Sequence, residues 1–432
     1  MTHRNLTLAE RKNGPIISES FNLKLDHIQE YVFNENINGF LIKKGKHPIL
    51  KLEILFPAGR TFESKKVVAK SCASLMKDGT KNFSSHQIAE KFDYYGASLH
   101  VPEQTDHISV IFYSLKPYFS ALIPIVKEIL LLATFPEEEL NIYKKNQIEK
   151  LALDTSKNEI VAYREFTSLL YGQDHPYGYN TSKDLIKALE RQDLVDHYQR
   201  HFISNSAKVI LSGDIDDEII SIVSGLLADI PPNTSIAAPY LFPEKFEDHA
   251  GEIFQIKGKQ KNQAAIKLGG RTIQRNHTDF PGLYILNTIL GGYFGSRLNL
   301  NLREDKGYTY GVYSSLDAHK YSAYFMTSVE CSPKNVQKCL GLISDEIKKL
   351  QDEPIPIPEL QMVKNYLNGY LLAAMDGPLN TSDLVKSIVA DDLPLTFFDT
   401  LVNKIQTIEA GELQSLAQNY LKMEDWTTVI VS

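Results

Sequence analysis

Cysteine is scarce: Cys72, Cys331 and Cys339 are the three in 432 residues, and none belongs to a CxxC pair. That number and spacing exclude a disulfide framework and point to a reducing compartment. A basic stripe is also lacking. Asp and Glu outnumber Lys and Arg by 53 to 46, for a net charge of -7, which argues against phosphate neutralisation and hence against a nucleic-acid partner. No apolar run is long enough to span a bilayer, since the strongest one, residues 121–135, is broken by Pro124, Lys127 and Glu128. Residues 1–20 carry basic side chains with no apolar stretch behind them, so they do not read as a secretory signal. The expectation is a cytoplasmic protein with no membrane partner.

What is present is ample core material. Hydrophobic residues make up 43% of the chain, with 22 Tyr and 20 Phe, which excludes a disordered protein. The length calls for two or more domains. Two stretches resemble each other. Leu50, Leu52, Ile54 and Phe56 alternate with Lys51 and Glu53, run into Gly59-Arg60-Thr61, and lead to a helix from about Lys66 that ends at Gly79. Later, Ala265 to Leu268 runs into Gly270-Arg271-Thr272 and a helix from about Pro281 ends at Gly291. Gly270 follows Gly59 by 211 residues, and Gly291 follows Gly79 by 212. Phe135-Pro136 and Ile357-Pro358 each open a long helix. The halves close alike too, with Tyr198 and Phe202 before the strand Lys208–Leu211 and Tyr420 before the strand Thr427–Val431. Period-two strands set apart from helical spacings such as Val68, Cys72 and Leu75 predict an α+β fold. Two homologous domains are expected, each a mainly antiparallel sheet packed with helices. The proline-rich stretch 230–239 reads as the linker, with the domains at 1–235 and 236–432.

This organisation resembles the insulinase/pitrilysin family of zinc peptidases, which includes the processing-peptidase subunits. The likeness runs from about Asn38 to the C-terminus. It rests on Tyr171-Gly172-Gln173-Asp174-His175-Pro176-Tyr177-Gly178, on Ser212-Gly213-Asp214, and above all on Ser296-Arg297-Leu298 leading to Leu302-Arg303-Glu304-Asp305-Lys306-Gly307-Tyr308-Thr309-Tyr310. The resemblance implies two domains related by a pseudo-two-fold axis around a cavity. Active members carry HxxEH on the first helix of the first half. Residues at i, i+3 and i+4 share a helix face, so two His ligate zinc while the Glu activates its water. The matching positions here are Lys70, Ala73 and Ser74, and the third ligand falls at Leu151, with Glu149 nearby. A cation, a methyl group and a hydroxyl make no zinc site, so no metal is expected in this chain.

Three other features invite a site. His197 and His201 have the i, i+4 spacing of a helical metal pair, but Arg200 between them opposes a cation, and a surface or capping pair is the better reading. His175, before Pro176, reads as a turn residue. Gly291-Gly292-Tyr293-Phe294-Gly295-Ser296 is either a helix-to-helix turn or, as the resemblance implies, a shortened substrate-contacting loop. Arg303 and Tyr310 stand where active relatives place an Arg and a Tyr that bind the substrate carbonyl and its developing oxyanion. The plainer alternative pairs Arg303 with its acidic neighbours and packs Tyr310 in a sheet. No Ser-His-Asp or Cys-His arrangement is discernible.

The resemblance therefore implies the non-zinc subunit of a heterodimeric peptidase acting on unfolded peptides, inactive alone, with zinc in a homologous partner. The alternative is a non-catalytic scaffold similar to the core proteins of respiratory complex III.

Overall fold

Eleven strands of the described residues form two sheets, seen in a computed structural model that describes residues 23–34, 37–45, 47–203, 207–230, 239–240 and 249–432. The expected domain boundary near 235 and the N-terminal residues 1–20 lie outside these. The first sheet comprises β1 (Ile28–Asn34), β2 (Ile37–Lys43), β3 (Ile49–Phe56), β4 (Ser98–His100), β5 (Ile108–Leu115) and β6 (Lys208–Gly213), in the order β1-β2-β6-β3-β5-β4. The second comprises β7 (Ile253–Ile256), β8 (Ala264–Thr272), β9 (Thr309–Ala318), β10 (Ala323–Cys331) and β11 (Thr427–Val431), in the order β7-β11-β8-β10-β9. Each sheet is mixed. It is antiparallel except for one parallel pair, β2 with β6 and β7 with β11.

Helices pack on both sheets. The first half contributes α1 (Val68–Leu75), α2 (Ser85–Tyr94), α3 (Lys116–Leu131), α4 (Glu137–Asp154), α5 (Asn158–Tyr171), α6 (Lys183–Lys187), α7 (Arg191–Tyr198) and α8 (Asp217–Ala228). The second contributes α9 (Phe280–Asn287), α10 (Val336–Asp352), α11 (Ile357–Ala374), α12 (Gly377–Val389), α13 (Thr396–Thr407) and α14 (Ala410–Tyr420). None is long and apolar enough to cross a membrane. The segment after α1 depends on Gly79, whose φ of +153° suits glycine, and where a Cβ would meet Pro136 at 2.7 Å.

Each sheet buries one face against helices of its own half, around Leu52, Ile54 and Phe112 in the first and Ile266, Leu268 and Phe325 in the second. The opposite faces are covered by exchange. Helix α5 of the first half lies on β8 and β11, with Phe166 and Tyr171 against Tyr324, Met326 and Val429. Helix α12 of the second half lies on β2 and β6, with Val385 and Val389 against Ile42, Leu55 and Ile210.

Polar contacts fix both exchanged helices. At the start of α5, Asn158 Nδ2 donates to Gln260 O (2.9 Å) and Gln263 O (2.7 Å), and at its end Arg271 Nε donates to Leu170 O (2.9 Å). Lys44 Nζ donates to Met375 O (2.8 Å) just before α12, and Lys208 Nζ to the terminal carbonyl of Val389 (2.5 Å). Cations at helix C-termini also complement the helix dipole.

Alternation of apolar and charged residues in an antiparallel strand ordinarily turns the charged face to water. Here Lys51 and Glu53 are wholly buried, because α12 covers that face. Lys51 Nζ lies 2.9 Å from Glu53 and donates to Asp383 of α12 at 2.7 Å, while Lys386 approaches Glu53 at 3.2 Å. Burial acts to lower the Lys51 pKa, but Glu53 and Asp383 more than offset it and the net shift is upward. On the second sheet Lys267 is buried likewise, donates to Ser328 Oγ (2.6 Å), and lies 3.7 Å from Glu159 of α5.

Lys51→Ala leaves the Glu53 carboxylate buried with Lys386 as its remaining cation, and should cost about 3–5 kcal/mol. Lys51→Met combined with Glu53→Leu removes both charges and should restore most of that loss. The shift in denaturant midpoint of the two variants checks both expectations.

Candidate functional site

The first turn of α1 is organised by a tyrosine. Tyr179 directly follows the string Tyr171–Gly178, and its hydroxyl accepts from Arg60 Nε and from Val67 N, both at 3.1 Å, and donates to the Glu63 carboxylate. The other Glu63 oxygen accepts from Ala69 N at 3.1 Å, which satisfies a backbone donor at the helix start. Arg60 lies 3.9 Å from the Tyr179 ring centroid and donates to the Tyr179 carbonyl at 3.2 Å. Val67, a β-branched residue, is held at φ +69°, a left-handed conformation that such residues seldom adopt. Burial pushes the Glu63 carboxyl up to about 7, against the pull of Tyr179, Arg60 and the Ala69 N–H.

Of the positions matched to the zinc motif by the resemblance, Lys70 is exposed and lines a cleft of about 230 Å³ together with Arg60, Val67, Glu103 and Tyr179. Ala73 is packed into the first core, and Ser74 turns its hydroxyl back to donate to Lys70 O at 2.8 Å. Leu151 is half-buried and Glu149 exposed on α4, which packs beside α1. This donor set does not fit zinc. A methyl group, a hydroxyl committed to the backbone and an ammonium replace the required ligands. No group of three or more His, Cys, Asp or Glu among the described residues is placed to hold a metal ion.

Arg303 lies in the π-helical turn Asn299–Asp305, 3.7 Å from Glu304 and over the Phe294 ring at 4.9 Å. Tyr310 stands on the edge strand β9 with 97% of its surface exposed, so it is not packed into the sheet. No hydrogen bond or ion pair among the described residues joins either one to Lys70, Ala73, Ser74 or Leu151. In the glycine segment, the π-helical turn Thr288–Gly292 brings Gly291 so close to β9 that a Cβ would meet Ser314 N at 2.5 Å.

The expectation for His197 and His201 as a surface or capping pair is corrected: both are 2% exposed. After α7 the chain enters the π-helical turn Gln199–Ile203, in which His201 is buried with its ring 5.9 Å from that of Phe62. The two histidine rings lie 4.6 Å apart, and His197 Nε2 donates to Ala58 O at 2.9 Å. Burial lowers His197 to about 3 and His201 to about 4. His175 is also lowered to about 4, by burial and then by Arg271; its Nδ1 accepts from Tyr177 N at 3.0 Å, as befits a turn residue. Arg60, Glu63, Glu103 and Tyr179 were not singled out as site residues from the sequence. Arg60 and Tyr179 sit in or beside the strings that carried the repeat and the resemblance, which was the available signal.

The three imidazoles are neutral in the fold and titrate below their ordinary value near 6.5. The unfolded chain then binds more protons, so their contribution is complete above about pH 6.5 and is lost as pH falls towards 4. Glu63 acts oppositely, gaining stability as pH falls from about 7. In urea titrations between pH 6.5 and 4, His201→Gln should lose less stability with falling pH than the parent chain, and Glu63→Gln should lose more.

A family model described as the peptidase M16 inactive domain matches residues 188–367. The chain is 24% identical over 403 residues to a Helicobacter pylori protein called non-peptidase homolog YmxG, covering 89% of each. A solved structure of a Helicobacter pylori protease superposes with a TM-score of 0.84 at 15% identity, over 94% of this chain and 99% of that one. The structure of a peptidase M16 inactive domain from Pseudomonas fluorescens does so at 0.82 and 20% identity, over 94% and 98%. The structural likenesses establish a shared fold.

Proposed function

We propose that this chain, which belongs to the peptidase M16 (insulinase/pitrilysin) family, is the zinc-less subunit of a two-chain metallopeptidase and lends substrate-binding donors to a site whose metal a homologous partner holds. The observation that carries the reading is an asymmetry of loss. The zinc positions of α1 hold Lys70, Ala73 and Ser74, while Arg303 and Tyr310 keep the side chains that the resemblance assigns to substrate. The open stance of Tyr310 on its edge strand supports this, because it is not consumed by packing, whereas Arg303 is half-buried beside Glu304 and Phe294.

In this reading residues 1–235 and 236–432 are two like domains, related by an approximate two-fold axis and facing each other across a cavity. The reciprocal seating of α5 and α12 supports that relation. Substrates are unfolded peptides. Arg303 and Tyr310 donate hydrogen bonds to the substrate carbonyl, and those bonds tighten as negative charge develops on its oxygen. A second reading, a scaffold without catalytic duty, draws on the names of relatives, non-peptidase homolog and probable inactive metalloprotease.

The purified chain should carry no stoichiometric zinc in metal analysis and should cleave no unstructured peptide alone. Mixed with an HxxEH-bearing relative it should form an active complex. In that complex Arg303→Ala or Tyr310→Phe should lower turnover by about 10²-fold with the subunits still associated. Full turnover by both variants in an intact complex would leave the scaffold reading standing.

A further inference from the structure

The cleft beside the lost zinc motif has opposed charges with unused bonding capacity. One Glu103 carboxylate oxygen is buried there and has no hydrogen-bond partner. Burial raises its pKa against the pull of Arg60 and Lys70, yet neither cation reaches it within ion-pair distance among the described residues. The Lys70 ammonium has no hydrogen bond or ion pair among the described residues, and Arg60, bound through Nε and Nη2 to Tyr179, has Nη1 to spare. The walls are rigid, because Arg60 is stacked on Tyr179 and Val67 is locked by the Tyr179 hydroxyl.

Charge narrows the choice of occupant. A simple anion would suit Lys70 and Arg60 but would be repelled by Glu103, and a simple cation would face the reverse. Buried polar groups are rarely left unmatched, so the fitting molecule carries both a cationic donor and an acceptor oxygen a few ångströms apart. A cleft of about 230 Å³ admits one or two amino-acid residues and no more. We propose that this cleft binds an α-ammonium group adjacent to a carbonyl or carboxylate, with the ammonium on Glu103 and the oxygen on Lys70 and Arg60. Two sources share that chemistry, a free amino acid and the amino end of a peptide. The inference concerns this chain alone and needs no zinc-bearing partner, so it stands or falls apart from the two-chain reading.

Calorimetric titration of the full chain with alanine, tetra-alanine and N-acetyl-tetra-alanine tests it. Saturable binding is expected for at least one free-amine probe, with acetylation weakening the peptide by about tenfold or more. Alanine matching tetra-alanine would identify the amino acid as the source, and binding of the peptide alone would identify the peptide end. Glu103→Gln should weaken binding by about tenfold, with its melting curve checked. Lys70→Met, on an exposed helix position, should weaken it too and decides the matter if the first variant does not fold. Absence of saturable binding by either free-amine probe, equal affinity for the acetylated peptide, or full affinity in Lys70→Met would overturn the proposal.

Discussion

Two sheets each have a face that their own half leaves uncovered, and everything else in the molecule depends on how those faces are closed. Each is roofed by a helix that belongs to the other half. A sheet face carrying Ile42, Leu55 and Ile210 could not stand in water without a partner surface. The buried lysines, the cations at the helix ends and the Asn158 clamp all serve that closure. It also holds the Tyr171 to Gly178 string between the sheets: Tyr177 donates to Asp106 of the first half, and Asp106 accepts from Lys320 N of the second.

The same string sets up the candidate site. Its aromatic members Tyr171 and Tyr177 are spent on packing against the second sheet, and Tyr179, the residue after it, organises Arg60, Glu63 and the start of α1. The helix to which the resemblance points is thus held firmly at its first turn, and it sets the ammonium of Lys70 in a cleft shared with Glu103.

Much of the fold was legible in the sequence because it is written in local periodicity. The strands at Leu50 to Phe56 and Ala265 to Leu268, and the long helices that Phe135-Pro136 and Ile357-Pro358 open, follow from spacing and from turn residues. Long-range consequences were less legible. The alternation of Lys51 and Glu53 gives no hint that the polar face is dry, since its cover comes from residues more than three hundred positions away. His197 and His201 were misplaced for a related reason: their spacing puts both rings on one face, but the residues that cover that face, Ala58 and Phe62, come from a distant segment. That Lys70, Ala73, Ser74 and Leu151 offer no zinc ligand could be read from residue type alone. The Glu103 cleft could not, because its groups converge from three separate segments.

The exchange of α5 and α12 carries a mechanical consequence. Two lobes joined by a single hinge can swing apart by straining a few backbone torsions. Here parting the sheets would unseat both roofs at once, exposing two apolar faces and stranding Lys51, Glu53 and Lys267 in the same event. Separation of the two sheets is therefore resisted by both roofs together and not by one hinge.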